Sequence, residues 1–239
     1  IAARFSTRAV MSVLSLLDWF AIAWFVLAWA GYSFMIEMTP LGAGGLNASM
    51  NRHREGWMQE MIQRDNRIMD GQIMGSLQNG TAFFASTSLL AVGGALALLR
   101  SAPDVAQMYA ELPFGSKPTA GLIEIKTGGL LVIFIYAFFK FAWSYRLFNY
   151  AAILLGSTPP RADRDKRRSK AAIERPARMV TIAGRPFNRG QRAFSFALGY
   201  LGWFIGPWAL IATTAAVLVV TVMRQFGPAA RWVIHSGRN

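Results

Sequence analysis

Four ionisable residues fall inside strongly apolar segments of this 239-residue sequence: Asp18, Glu124, Lys126 and Lys140. A charge in hydrocarbon is costly, so each of these residues is a candidate for function by default. One interpretation is a proton or ion relay. The other is an interfacial salt bridge that joins the first and third apolar helices, with Lys140 extending its ammonium to the membrane surface. We favour the salt bridge, because no acidic residue lies in the middle of an apolar segment.

The sequence offers few residues for other kinds of catalytic, metal or cofactor site. The sequence contains no cysteine and only two histidines, His53 and His235, so thiolate sites are excluded and a histidine-bound haem or zinc would have very few ligands. It also lacks a phosphate-binding glycine loop, a nucleophile elbow and a zinc-protease motif. We therefore expect no cofactor, no metal and no catalytic residue, in a protein that is not an enzyme.

The elements that carry these residues have the composition of membrane helices. Hydrophobic residues make up 54% of the sequence and charged residues 15%, and the apolar residues are gathered into long blocks. A helix needs about 20 apolar residues to cross the hydrocarbon of a bilayer. Four blocks reach this length. They predict an all-α integral membrane protein, a single domain with four transmembrane helices at about 12–36, 81–99, 127–145 and 204–223.

The last apolar block, Ala193 to Met223, is longer than a membrane span requires. Read as one helix it would be about 45 Å long. The interfacial tryptophans at Trp203 and Trp208 predict that the membrane begins near Trp203 and that the preceding FSFALGYL lies outside it. Small residues at helical spacing give this helix one face for close helix packing, and Pro207 should bend it. That face consists of Ser195, Gly199, Gly202 and Gly206.

Two further segments predict a cytoplasmic helical layer beside the membrane. Apolar residues recur near a 3.6-residue period from about 51 to 77, which predicts one amphipathic helix that ends at Asn79-Gly80. We expect its methionines to pack on neighbouring helices. From about 157 to 184 the sequence predicts a basic loop and then a short helix. The layer should also hold FNYAAILLG, which continues the third span.

The distribution of basic residues predicts the orientation in the membrane. Of 25 Lys and Arg residues, four lie in the first connection and eleven in the third. Because short basic loops stay in the cytoplasm, we expect both connections inside and both termini on the periplasmic side of a bacterial inner membrane. The basic run Lys166 to Lys170 lacks the aromatic interleaving of nucleic-acid readers. Membrane lipids with anionic headgroups at the inner leaflet are its expected partners, and no nucleic acid is expected.

Several segments in the same order resemble the bacterial membrane family called domain of unknown function 599. They are REGWMQEMIQRDNRIMDGQI, FFASTSLL, YAFFKFAWSYRLFNYAAILLG and FNRGQRAFSFALGYLGWF. The resemblance covers most of the chain and implies a multi-helix membrane protein with no activity, substrate or cofactor to carry over. The polar positions that match are Arg64, Asp65, Asn66, Arg67, Asp70, Lys140, Arg146, Asn149, Asn188, Arg189 and Arg192.

Except for Lys140, these matching polar residues fall in the expected cytoplasmic layer, where they should form a structural network. Asp65 and Asp70 are the expected acceptors for Arg146, Arg189 and Arg192. We therefore expect a non-enzymatic, self-associating scaffold or an accessory subunit of a membrane complex, and a homo-oligomer is consistent with the small-residue face. Two alternatives remain. One is a small transporter or channel that uses Asp18, Lys126 or Lys140. The other is a lipid-handling enzyme in which Asp65 or Asp70 activates a nucleophile.

Overall fold

A computed structural model describes residues 13–111, 118–159 and 166–227. For residues 166–173 it describes the backbone only. Within these ranges the chain is helical and contains no β-strand. The expectations for the basic loop near Arg161, for the basic side chains from Lys166 to Lys170 and for the two chain ends fall outside this part of the chain. The helices are α1 (Leu16–Met38), α2 (Pro40–Ala43), α3 (Leu46–Met61), α4 (Ile68–Arg100), α5 (Ala102–Glu111), α6 (Ala120–Gly156), α7 (Lys166–Tyr200), α8 (Gly202–Ile205) and α9 (Pro207–Phe226).

Four of these helices are long and apolar enough to cross a membrane. They are α1, α4, α6 and α9, with 23, 33, 37 and 20 residues. The all-α fold with four candidate transmembrane helices is therefore confirmed. The third of them, α6, continues to Gly156, well beyond the 127–145 span that the apolar block indicates.

The helix expected over residues 51–77 is two helices. The chain leaves helical geometry between Met61 and Ile68, where α3 ends and α4 begins. The side-chain oxygen of Asn66 accepts a hydrogen bond from the backbone N–H of Ile68 at 2.9 Å. An asparagine that bonds the backbone two residues ahead stabilises a turn, and this local bond outweighs the apolar period across the segment.

The break expected at Asn79-Gly80 does not occur, because α4 runs through both residues to Arg100. Neighbouring groups hold this stretch in place. Gln78 donates to Asn149 of α6 at 2.6 Å, and the Thr81 hydroxyl donates to the carbonyl of Leu77 at 2.7 Å. In an apolar setting an unpaired backbone group is expensive, so a residue pair that turns the chain in water stays helical here.

The described residues form two compact units, and several helices contribute to both. The first unit comprises the described residues of Ile1–Tyr32, Ser88–Ile135 and Ala193–Val220. The second comprises those of Ser33–Thr87, Tyr136–Arg192 and Thr221–Asn239. The core of the second unit contains Met58 and Met61 of α3, both fully buried, against α6 and α7. Met74 of α4 belongs to the same core, so three methionines of this segment pack on neighbouring helices as expected, whereas Met69 is 51% exposed.

Within the first unit, the expected single helix from Ala193 to Met223 is wrong. The chain reverses between Tyr200 and Pro207, so that α9 runs antiparallel to the end of α7. Thr213 of α9 donates its hydroxyl hydrogen to the carbonyl of Gly199 at 2.6 Å. Pro207 has no N–H to bond the preceding turn, so the helix ends there, and α8 is a single turn between the two longer helices.

The position expected for FSFALGYL outside the membrane is also wrong. Phe196 and Tyr200 of this segment make edge-to-face contacts with Phe25 of α1, with ring centroids 5.9 and 5.3 Å apart. Phe25 lies in the middle of an apolar 23-residue helix. The residues before Trp203 therefore lie beside a candidate span, and Trp203 does not mark the inner membrane boundary.

The end of α9 lies close to the first connection of the chain. In the second unit the Gln225 side chain contacts Gly45, the residue that precedes α3, with the Gln225 Cδ 3.1 Å from the position a Gly45 Cβ would take. Gly45 follows the carboxyl end of α1 by only seven residues. The end of α9 is therefore near the chain segment that follows α1.

Candidate functional site

A buried chain of polar contacts in the first unit joins three parts of the fold through Trp203. The indole Nε1 of Trp203 donates to Asp18 Oδ1 of α1 at 2.7 Å. The ammonium of Lys126 of α6 donates to the Trp203 carbonyl at 2.7 Å and lies 5.5 Å from the centre of its ring. Asp18, Lys126 and Trp203 are 6%, 4% and 1% exposed. Both charges are therefore held away from solvent by the same residue.

Local sequence explains why Trp203 accepts this lysine. In a helix the Trp203 carbonyl would receive the N–H of residue 207, and that residue is Pro207, which has none. The Lys126 ammonium supplies the missing donor. On the other side, Ser15 donates from its backbone and its hydroxyl to Asp18 Oδ2 at 3.1 and 2.6 Å, so both carboxylate oxygens are bonded.

The structure thus brings Asp18 and Lys126 together, as the sequence indicates, but connects them through Trp203. Glu124 is half-buried and is not part of this cluster. Trp203 was interpreted as a boundary residue and its role here was missed. The available signal was Pro207, four residues later, because a proline inside an apolar segment leaves one carbonyl without its helical donor.

Asp70 forms a second buried cluster, at the start of α4 in the second unit. Its Oδ1 accepts from Trp57 Nε1 and from Arg64 Nη1, both at 2.7 Å, and the Asp70 side chain is fully buried. Its Oδ2 has no partner among the described residues. Asp65, which the sequence analysis treated as equivalent, is exposed and outside this cluster. Sequence spacing alone does not separate these two acids.

The remaining members of the expected network hold different pairs of elements. Arg67 donates to the carbonyls of Thr158 and Pro159 at 2.8 and 2.7 Å, which secures the carboxyl end of α6. Asn149 accepts from Gln78, as described for α4. Arg146 is exposed and donates to Tyr150 one helical turn later, at 2.6 Å. Asn188 is half-buried on α7. The residues that were expected to form a single network thus form several separate contacts.

The expected acceptors for Arg189 and Arg192 are wrong, because both arginines bond Glu37. Arg189 Nε donates to Glu37 Oε1 at 2.9 Å, and Arg192 Nη2 donates to the same oxygen. Glu37, which the sequence analysis did not single out, is the second-to-last residue of α1. The hydrogen bonds that Arg189 donates to Glu37 raise the pKa of its guanidinium, so Arg189 stays charged.

Lys140 lies on α6, in the second unit. Its ammonium is 5.0 Å from the centre of the Tyr136 ring, one turn earlier on the same helix. The structure thus places Lys140 over an aromatic ring of its own helix.

The small-residue face packs within the chain. An added Cβ at Gly202 would lie 2.8 Å from the Ala209 carbonyl oxygen, and one at Gly199 would lie 3.2 Å from Val217 Cγ2. Both contacts are with α9, so these glycines allow the close antiparallel approach of α7, α8 and α9. Gly206 meets no heavy atom within 4 Å, and Ser195 is half-buried.

These contacts are found in a chain whose sequence matches the family described as "Protein of unknown function, DUF599" over residues 20–229. The chain belongs to this family. The match includes Lys126, Trp203, Asp70 and the Glu37 cluster, and it begins two residues after Asp18. Neither the curated proteins nor the solved structures contain a match.

In this DUF599 chain, the charged groups of the sites described above are bonded mainly to each other and to backbone carbonyls. Among the described residues no group of three His, Cys, Asp or Glu side chains could hold a metal ion. Each cluster joins separate helices: Trp203 joins α1 to α6, Asp70 joins α3 to α4, and Glu37 joins α1 to α7. The chemistry that this arrangement supports best is the fixing of helices against one another.

Proposed function

We propose that this protein is a non-enzymatic integral membrane scaffold, or an accessory subunit of a membrane complex, that associates with copies of itself. The observation that carries the proposal is the bonding of Asp18 and Lys126 to Trp203. A relay residue must release and rebind a proton or ion, and these two charges are instead engaged in contacts that hold three helical segments together.

The same reasoning applies in the second unit. Breaking one member of a buried ionic contact leaves an uncompensated charge and destabilises a protein by several kcal/mol, about 3 to 5. Asp70 is such a member, since it is fully buried between Trp57 and Arg64. This cost favours a structural role for Asp70 over the activation of a nucleophile.

The sequence suggested the small-residue face of residues 195–206 as the surface for self-association. Gly199 and Gly202 of this face are covered by α9, so self-association requires a different surface. Support comes from α4. Its glycines would meet no heavy atom within 4 Å if a Cβ were added, so this helix retains room for the close approach of another helix. These glycines are Gly71, Gly75, Gly80, Gly93 and Gly94.

For the orientation, we propose the amino-terminal end of α1 on the periplasmic side of a bacterial inner membrane and the first connection inside. The contact of Gln225 with Gly45 favours an inner end for α9 as well. Arg224, in the last turn of α9, then adds to the inner excess of basic residues, as expected when short basic loops are retained in the cytoplasm. Anionic lipids of the inner leaflet are the proposed lipid partners.

The test is the mass of the full-length protein particle in mild detergent, measured by light scattering coupled to size exclusion. We expect more than one copy per particle. Gly94→Leu should reduce the particle to a single chain, because the leucine occupies the space that a second helix would use. Gly31→Leu is the matched control, since Gly31 of α1 also meets no heavy atom within 4 Å.

A single-chain wild-type particle without co-purifying subunits would refute the scaffold proposal. So would proton or ion flux into liposomes that Asp18→Asn abolishes while the thermal stability stays unchanged. In that case Asp18 would act in transport.

A further inference from the structure

The carboxyl-terminal part of α7 lies against α9 in the first unit and runs in the opposite direction. The Gly199 carbonyl of α7 accepts a hydrogen bond from the Thr213 hydroxyl, and a Cβ added at Gly199 would lie 3.2 Å from Val217 Cγ2. Further along the chain, a Cβ added at Gly202 would lie 2.8 Å from the Ala209 carbonyl oxygen. The segment thus approaches the beginning of α9 as its own residue numbers increase.

These contacts place Gly199 at the depth of the middle of α9. The helix α9 has 20 residues and extends about 30 Å, the thickness of bilayer hydrocarbon. Thr213 and Val217 lie on either side of its midpoint. About ten residues of α7 before Gly199 extend about 15 Å, and Arg189 thus lies near the level at which α9 ends. In the other direction the chain reaches Pro207, where α9 begins. The segment between Arg189 and Pro207 therefore accompanies α9 along its whole length.

The two ends of α1 give an independent measure of depth. Near the carboxyl end of α1, Glu37 accepts hydrogen bonds from Arg189. In the first turn of α1, Asp18 accepts a hydrogen bond from the Trp203 indole at 2.7 Å. Between these two levels, the middle of α1 contacts Phe196. Since α1 is a candidate span, the chain passes from one end of a membrane helix to the other between Arg189 and Trp203.

The arginines of α7 explain why this segment is not among the four long apolar helices. Between Arg192 and Pro207 the chain has 14 uncharged residues, which form about 21 Å of helix. Bilayer hydrocarbon is about 30 Å thick, so the arginine end of the segment must enter it. Arg192 is 8% exposed and bonds Glu37, so its charge is paired at this depth. Long arginine side chains also extend their charged groups towards the membrane surface. Pairing and side-chain length thus permit a crossing that composition alone does not indicate.

We propose that residues 189–206 form a fifth membrane crossing, which makes the end of α7 and α9 a helical hairpin within the bilayer. An odd number of crossings places the start of α1 and the end of α9 on opposite sides. The end of α9 then shares a side with the end of α1, and the contact of Gln225 with Gly45 agrees with this. Four crossings would place that end beside the start of α1 instead. The proposal rests on the membrane location of α1, α4, α6 and α9, and it depends neither on the proposed orientation nor on self-association.

The experiment determines the side of the membrane from which single cysteines react in the full-length protein, expressed in bacterial cells. The sequence has no cysteine, so each variant carries one thiol. Gln59→Cys in α3 and Gln107→Cys in α5 are exposed reference positions for the two sides. Ile205 is 78% exposed, and Ile205→Cys tests the turn before α9. Arg224→Cys, exposed in the last turn of α9, tests its end. A membrane-impermeant maleimide is applied to intact cells and to inverted membrane vesicles.

We expect Ile205→Cys to react from the same side as Gln107→Cys, and Arg224→Cys to react from the same side as Gln59→Cys. Reaction of Arg224→Cys from the side of Gln107→Cys would overturn the fifth crossing. Loss of reaction at Ile205→Cys from both sides would also overturn it, because a single helix over residues 193–223 places this residue inside the bilayer.

Two further comparisons separate this proposal from effects of charge and from the proposed orientation. If Arg224→Cys is not inserted into the membrane, Ser236→Cys decides the test, because it keeps Arg224 and follows α9 in the sequence. If Gln59→Cys reacts from outside the cell, the proposed orientation is wrong. The fifth crossing still stands in that case when Arg224→Cys reacts from the same side as Gln59→Cys.

Discussion

Replacing Trp203 with phenylalanine tests whether the buried polar chain stabilises the fold. Phenylalanine keeps an aromatic ring and leaves the backbone carbonyl for Lys126, but it removes the Nε1–H that bonds Asp18 at 2.7 Å. A hydrogen bond to a charged group contributes about 1.5 to 3 kcal/mol in a soluble protein. Inside membranes the measured values are smaller, about 0.6 on average and about 1.7 at most, because the unfolded helices also find partners.

The expected loss can be worked out from these contacts. We take about 1.5 kcal/mol for the hydrogen bond, since it is fully buried and its acceptor is charged. The weaker ring reduces the contact with the Lys126 ammonium, 5.5 Å from its centre, by about 0.5 kcal/mol. The sum is about 2 kcal/mol. For a chain of this length each kcal/mol shifts Tm by about 2 to 4 °C, so Trp203→Phe should lower Tm by about 4 to 8 °C.

The assay is thermal unfolding in detergent, with Trp208→Phe as the matched control. Trp208 lies five residues further along and is 70% exposed, so its substitution should change stability by less than about 0.5 kcal/mol. In an Asp18→Ala background Trp203→Phe should cost about 1.5 kcal/mol less than in the wild type, because the acceptor is already gone. An equal cost in both backgrounds, or equal Tm shifts for the two tryptophans, would refute the reasoning.

Two further substitutions test the other contacts by the same unfolding measurement. Asp70→Asn should lower stability by about 2 to 3 kcal/mol, because Trp57 and the partly exposed Arg64 lose the charged, fully buried oxygen to which both donate. Exposed Asp65→Asn should have little effect, and equal effects of the two substitutions would contradict the distinction between the two acids. Gly202→Ala should destabilise the protein by about 1 to 3 kcal/mol, since its Cβ would lie 2.8 Å from the Ala209 carbonyl oxygen. The control Gly128→Ala adds a Cβ in open space and should be neutral or slightly stabilising. A neutral Gly202→Ala would exclude the close approach of α8 to α9.

The four candidate spans could be predicted from the sequence because they depend on one property, the length of an apolar run. The turns between helices could not, since they depend on competition between local and tertiary bonds. Asn79-Gly80 favours a turn in water, yet α4 continues through it with the support of Gln78 and Thr81. The real break before Ile68 had a local signal in Asn66, but the regular apolar period across the segment concealed it.

The partners within the candidate sites were harder to predict than their members. Asp18 and Lys126 were identified from residue type and position, and Asp70 and Arg189 from the resemblance to the DUF599 family. Glu37 was not, because it lies next to the first connection in sequence although it belongs to the end of α1. Which acid meets which arginine depends on how far each helix extends past its apolar run. That length is decided by packing, and composition gives it only to within a few residues.

The contact between Trp203 and Lys126 is one that the sequence could have indicated. A proline inside an apolar helix leaves the carbonyl four residues earlier without a donor, and in hydrocarbon that carbonyl needs one. Lys126 is the donor in this fold, at 2.7 Å from the Trp203 oxygen. Pro207 leaves the Trp203 carbonyl without a helical donor, and the intramembrane Lys126 supplies that donor. These two unusual residues of the sequence are thus explained by one contact. A search for the donor that each intramembrane proline requires would have made Lys126 a candidate partner of the carbonyl four residues before Pro207.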